Sequence, residues 1–206
     1  MKALNPLVIS GREVLPLVEG GKGISVSNGE SSGAWAAAGG VGTFSGVNAD
    51  SYTEAGTPIA QIYYGRTRRE RHEELVAYAI AGGIQQARVA YERANGEGRI
   101  HMNVLWEMAA AERVLHGVLE GAKGLIHGVT CGAGMPYKIA EICAHYGVHY
   151  YPIHLYDTCY GTQSELPVAE KEMKRIMSLP IYPDMTDDDV TRVSELVKKF
   201  YAAAKG

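Results

Sequence analysis

The chain has 206 residues, a length that excludes a large multi-domain enzyme, and its hydrophobic fraction of 46% and charged fraction of 21% are ordinary globular usage that favours a folded domain over a disordered chain. Its formal net charge of -3 gives no electrostatic reason to expect nucleic acid or an anionic membrane as partner, and no apolar run approaches the ~20 residues a membrane span requires. Three cysteines without a signal peptide point to thiols in a reducing cytoplasm rather than a disulfide framework.

In chain order, residues 14–18 form a short apolar run that breaks into Gly20, Gly21, Lys22 and Gly23, the pattern of a strand ending in a tight loop. Ser31 and Ser32 are placed to cap a small-residue helix over residues 33–38, which Gly39 and Gly40 end before a second strand at residues 41–44. Residues 46–65 read as a long connection with at most one short strand, at residues 59–64. Leu75, Ala79, Ile80, Ile84 and Ala87 then recur at helical spacing within a long helix over residues 68–94. Gly82 and Gly83 lie inside it at a cost of about 1 kcal/mol each relative to alanine, which marks close packing or a kink. Arg66, Arg68, Arg69, Arg71 and His72 crowd its start. Charge blocks usually face solvent, so this run reads as a solvated helix start rather than a phosphate site, although cations there oppose the helix dipole.

A third strand at residues 100–105 bears Asn103, and a helix over residues 107–120 is built on Met108, Ala111, Val114, Leu115 and Val118. Residues 124–130 form a buried-type strand, Pro136 is placed to open a helix over residues 137–146, and residues 148–153 form a fifth strand. Strand and helix alternate up to that point, as in successive βαβ units around a parallel sheet. Beyond it the rhythm changes to a helix over residues 167–177, an extended stretch at residues 179–183 and a last helix over residues 187–204, with Thr186 and Asp189 in capping-box positions. The expected fold class is therefore α/β, with a partial TIM-type βα barrel of about five strands over residues 1–153 and a helical tail over residues 154–206.

Ligands of βα barrels sit at the C-terminal ends of the strands, and the glycine loops here fall at those ends. Glycine lets backbone N–H groups approach a phosphate or a flat ring, which nominates Gly20, Gly21, Lys22 and Gly23, the turn from Gly42 to Gly46, and Gly132, Ala133 and Gly134. Asn103 projects toward the same end with an amide that both donates and accepts; a turn or edge position is the competing reading. Cys131 follows the fourth strand, but without an adjacent base it reads as a buried structural thiol. His127 reads as a satisfied strand residue, and His145, His149 and His154 share no regular helix, so no metal site is expected.

Taken together, Leu15-Pro16-Leu17-Val18-Glu19-Gly20-Gly21, Ala38-Gly39-Gly40-Val41-Gly42-Thr43, His101-Met102-Asn103-Val104-Leu105 and Gly128-Val129-Thr130-Cys131-Gly132-Ala133-Gly134-Met135-Pro136 resemble the nitronate monooxygenase (2-nitropropane dioxygenase) family over residues 4–153. The resemblance implies an FMN-dependent flavoprotein that oxidises a small-molecule nitronate to a carbonyl compound and nitrite, with the flavin held by Gly20, Gly21, Lys22, Gly23, Asn103, Gly132, Ala133 and Gly134. Lys22 stands where that family commonly has Met. The family's Gly-Gly-His catalytic loop is absent from the sequence, so the catalytic residues are unassigned and the activity is expected to be impaired. The tail, through His154-Leu155, Leu166-Pro167-Val168-Ala169-Glu170, Ser178-Leu179-Pro180-Ile181-Tyr182-Pro183 and Asp187-Asp188-Asp189-Val190, resembles the C-terminal end of DegT-type PLP-dependent sugar aminotransferases over residues 154–204, without the lysine that binds PLP. The chain thus reads as a truncated chimera. Three functions follow from this: the flavoprotein, a fragment of a PLP-dependent aminotransferase, or a non-catalytic remnant or binding module. Open strand edges invite a second copy of the chain.

Overall fold

The computed structural model describes residues 5–53, 55–132, 138–152 and 186–203. The chain divides into two compact units, one of Asn5–Gln163 and one of Met1–Leu4 with Ser164–Gly206.

The larger unit opens with a hairpin absent from the sequence expectation. Strands β1 (Leu7–Ile9) and β2 (Arg12–Val14) pair antiparallel around Ser10 and Gly11, whose φ angles of 47° and 74° supply the two successive left-handed residues that a tight hairpin turn requires. The strand expected at residues 14–18 shrinks to a single parallel bridge between Val18 and Val41, flanked by bonds from Glu19 N to Val41 O and from Val41 N to Leu17 O, both 2.8 Å. Pro16, with no N–H to give a ladder, interrupts the run.

Helix α1 (Gly29–Ala37) starts four residues before its expected position because Asn28, not Ser31, is the N-cap. The Asn28 side chain accepts from Ser31 N, and Ser31 Oγ reciprocates toward Asn28 N. Strand β3 (Val41–Ser45) follows. The connection after it holds one antiparallel bridge, Tyr52 to Pro58. Residues 59–64 form no strand and lie instead against the next helix. That helix, α2 (Arg68–Ala94), has the expected bounds: Thr67 and Glu70 form a capping box, and Asn95, left-handed at φ 49°, ends it. Strand β4 (Arg99–Val104), helix α3 (Ala111–Gly121), strand β5 (Gly128–Cys131), helix α4 (Ile139–Tyr146) and strand β6 (His149–Pro152) complete the unit.

Strands β3, β4, β5 and β6 make one parallel sheet in that order, each hydrogen-bonded to the next in the chain. Side chains alternate across a strand. Phe44, Ile100, Met102, Val104, Val129 and Cys131 enter a common core with Val76 and Ala79 of α2, Leu115 and Val118 of α3, and Ile139 and Cys143 of α4. Each large aliphatic or aromatic side chain buried there contributes about 1.5–3 kcal/mol. Gly82 and Gly83 mark close packing rather than a kink, since a Cβ at 82 would overlap the Ala49 carbonyl and one at 83 would come within 2.6 Å of Val118 Cγ2. The buried Gln86 is bonded at both polar ends: its carbonyl accepts from Gly29 N and its amide donates to Asp50 O at 2.7 Å.

In the smaller unit the described element is helix α5 (Asp187–Ala203), close to its expected bounds, entered through a bond from Val190 N to Thr186 O. The helix expected at residues 167–177 and the extended stretch at 179–183 lie outside the described residues. No helix among the described residues is long and apolar enough to cross a membrane.

Candidate functional site

Because Phe44, Ile100, Met102 and Val129 face the helices, their neighbours in the strands face the other way. Register then places Thr43 beside His101 and Ser45 beside Asn103, with Asn103 beside Thr130 and Thr130 beside Tyr151. The second face of the sheet is thus polar, and its two ends differ.

At the C-terminal end of the strands, Asn103 is buried, and its side-chain oxygen accepts from Thr130 Oγ1 at 3.0 Å while its backbone oxygen accepts from Gly46 N at 2.7 Å. The loop of Gly20, Gly21, Lys22 and Gly23 closes over it: a Cβ on Gly21 would overlap Asn103 Cβ, and one on Gly23 would lie 3.6 Å from Ser45 Oγ. Lys22 N donates to Ser27 Oγ at 2.8 Å, and Lys22 O accepts from Ser27 N at 3.3 Å. Gly132 follows β5 at the same end; Ala133 and Gly134 lie outside the described residues. The structure therefore brings Gly21, Gly23 and Asn103 together as read from the sequence. It also gives their small size an internal cause, since the space a side chain would need at Gly21 and Gly46 belongs to Asn103 and Met102.

Glu19, unmarked in the sequence reading, anchors this loop. Its buried carboxylate accepts from Ser31 Oγ at 2.7 Å and from Thr43 N at 2.9 Å. Burial raises its pKa above the ordinary carboxylate value, and the bonds from Ser31 and Thr43 pull it back.

The other end of the polar face holds a second cluster. Ser10 Oγ lies 2.9 Å from His101 Nε2 and 3.1 Å from Tyr151 Oη, Ser10 N donates to Tyr151 Oη at 2.8 Å, and the His101 and Tyr151 rings stack with centroids 4.9 Å apart. Arg99 Nε donates to Ser10 O at 2.9 Å. Burial first, then His127, His149 and Arg99, drive His101 down to about 3, so its ring is neutral at neutral pH. His127, read as a strand residue, lies just before β5; it accepts from Ile100 N at 3.0 Å through Nδ1 and is pushed down to about 4 by burial and Arg99. With Ser10 and His101 both enclosed, the arrangement ties the hairpin turn to the sheet rather than presenting a nucleophile. Cys131 is buried in the core, and burial of Cys143 pushes its thiol up to about 12, so Cys143 is not placed as a reactive thiolate.

The DegT/DnrJ/EryC1/StrS aminotransferase family matches residues 129–198. An uncharacterised protein of Methanocaldococcus jannaschii is 48% identical over 56 residues, covering 25% of this chain and 14% of that protein. The spore coat polysaccharide biosynthesis protein SpsC of Bacillus subtilis is 39% identical over 61 residues, covering 28% of this chain and 16% of that protein. The chain thus spans only a small part of the length of these relatives. The aminotransferase resemblance of the tail is borne out, and the match begins earlier than read, at Val129 in β5.

The expectation of an FMN-dependent nitronate monooxygenase is overturned. The matched family is one of aminotransferases, whose cofactor is PLP and not FMN, and the relative with a stated role serves polysaccharide biosynthesis. The match also takes in most of the segment from Gly128 to Pro136 on which the flavin reading leaned. The physical source of the error is the glycine signal, because internal packing at Gly21 and Gly46 asks for the same residue as close approach to a ligand.

Proposed function

We propose that the chain is a fragment related to PLP-dependent sugar aminotransferases of the DegT type, and that by itself it does not transaminate. The family match over residues 129–198 carries this reading. The 39% identity with SpsC supports a polysaccharide-precursor sugar as the substrate class of the parent enzyme. In such enzymes PLP carries the amino group from donor to acceptor and is anchored on a lysine. The described residues do not fit that group: Lys22, Lys123, Lys138, Lys198 and Lys199 are all at least partly exposed, and Lys138 is paired with Glu112 at 3.0 Å.

The consecutive order of the parallel strands supports a finer reading of residues 1–153 as part of a βα barrel, with residues 154–206 as an appended tail. A segment exchange tests the kinship. SpsC carrying residues 129–198 of this chain in place of its own matched segment should fold and retain PLP. An insoluble or PLP-free exchange product, beside a competent parent, contradicts the reading.

A further inference from the structure

The basic run at the start of α2 is a feature the aminotransferase reading leaves unused. Arg66, Arg68, Arg69 and Arg71 are all exposed, and among the described residues none of them is in an ion pair. Glu70 and Glu73 attract Arg71 and Arg69 through space, but the nearby carboxylates accept their hydrogen bonds from other groups. Glu70 accepts from Arg66 N at 2.7 Å and Thr67 N at 2.8 Å, Glu73 pairs with Arg113 at 2.6 Å, and Glu74 accepts from Tyr64 N and Gly65 N at 3.1 and 3.2 Å. Four guanidinium groups thus stand at the positive end of a helix dipole, which opposes them, and among them Arg71 and Arg69 are offset only through space by Glu70 and Glu73.

Beside them the chain holds apolar side chains out to solvent. It doubles back at Gly65, where a Cβ would come within 2.7 Å of Arg71 N. Residues 62–65 are then fixed along α2: Tyr78 Oη donates to Ile62 O at 2.8 Å and accepts from Ile62 N at 3.3 Å, while Glu74 holds the next turn. Arg71, Glu74 and Tyr78 share one helix face by spacing. The strap so held exposes Ile62 at 53% and Tyr64 at 80%, and Ile59, three residues before Ile62, is exposed at 42%.

We propose that this surface, Ile59, Ile62 and Tyr64 flanked by Arg66, Arg68 and Arg71, docks on an anionic lipid bilayer. Charge complementarity calls for a polyanion, and the apolar composition selects which one. A nucleic acid would need several free ring faces for stacking. Tyr63, 40% exposed, is already edge-packed on Tyr78 at 5.8 Å and donates to Gln61 Oε1 at 2.9 Å, which leaves Tyr64 as the most open ring beside two isoleucines. Aliphatic and tyrosine side chains next to arginines match the headgroup and acyl boundary. The net charge of -3 conceals this local patch and makes the attraction short-ranged, so it should be steep in salt and in anionic lipid fraction.

The test is sedimentation of the full chain with vesicles of phosphatidylcholine alone and of an equal mixture with phosphatidylserine. Binding only to the mixture, weakened about 25-fold by the pair Arg68→Gln and Arg71→Gln at about five-fold per arginine, supports the proposal. So does a loss of roughly ten-fold for Ile62→Ser with Tyr64→Ser, provided circular dichroism shows unchanged melting. Equal partitioning to both vesicles, no partitioning, or binding that none of these substitutions alters overturns it. Retention of single-stranded RNA with no vesicle binding would assign the patch to nucleic acid and equally overturn it.

Discussion

Acid should loosen the protein at His101. The imidazole is 2% exposed and held near 3, so in the folded chain it stays neutral well below pH 5. In the unfolded chain it takes up a proton as the pH falls through the ordinary value of 6.5. Over that window the unfolded state binds more protons and gains on the folded one, so stability falls with pH. Between about pH 7 and about pH 5 the loss from this one group is about 2 kcal/mol, at roughly 1.4 kcal/mol per pH unit of the window. His127, held near 4, adds to the same loss, though less because it is only half-buried. Glu19, raised by burial, works in the opposite direction; comparison with a single variant removes both contributions. His101→Gln keeps a hydrogen-bonding group near Ser10 Oγ and does not titrate. Urea unfolding at both pH values should show the parent chain losing about 2 kcal/mol more than His101→Gln. An equal loss in the two proteins would refute the assignment of a buried, neutral imidazole at this position.

Two further outcomes follow from packing. Gly82→Ala, which in a free helix would gain about 1 kcal/mol, should instead lower stability by about 1–3 kcal/mol, because its Cβ would overlap the Ala49 carbonyl; a raised Tm in a thermal melt contradicts the contact. Cys143, with its thiol pushed up to about 12, should resist alkylation in the folded chain and react in urea, read by peptide mass spectrometry; rapid labelling of the native protein contradicts its burial.

Helix α2 was legible in the sequence because everything that bounds it is local: Thr67 and Glu70 at one end, Asn95 at the other, and an apolar face at helical spacing between them. The shift of α1 arose because Ser31, read as a cap, is instead the N3 partner of Asn28 in a reciprocal capping box that spacing alone does not reveal. The strand expected at residues 124–130 shortened to Gly128–Cys131, since Gly124 at φ 80° belongs to the turn out of α3. A turn signal was present at Ser10 and Gly11, but the runs on either side are only three residues long. The nearness of the glycine loop to Asn103 followed from the general rule for strand ends, whereas the link of Ser10 to His101 and Tyr151 spans 91 and 141 residues of chain and leaves no local trace. The purpose of the glycines was misread for a physical reason: a residue without a side chain records that space is short, not what fills it.

The most direct test of the proposed function is the visible absorption spectrum of the purified chain after incubation with FMN and PLP and removal of free cofactor, followed by borohydride trapping and peptide mapping of any lysine that has bound PLP. A colourless protein with no lysine modified is the expected result. A retained flavin spectrum, or a PLP adduct mapped to a lysine, would contradict it.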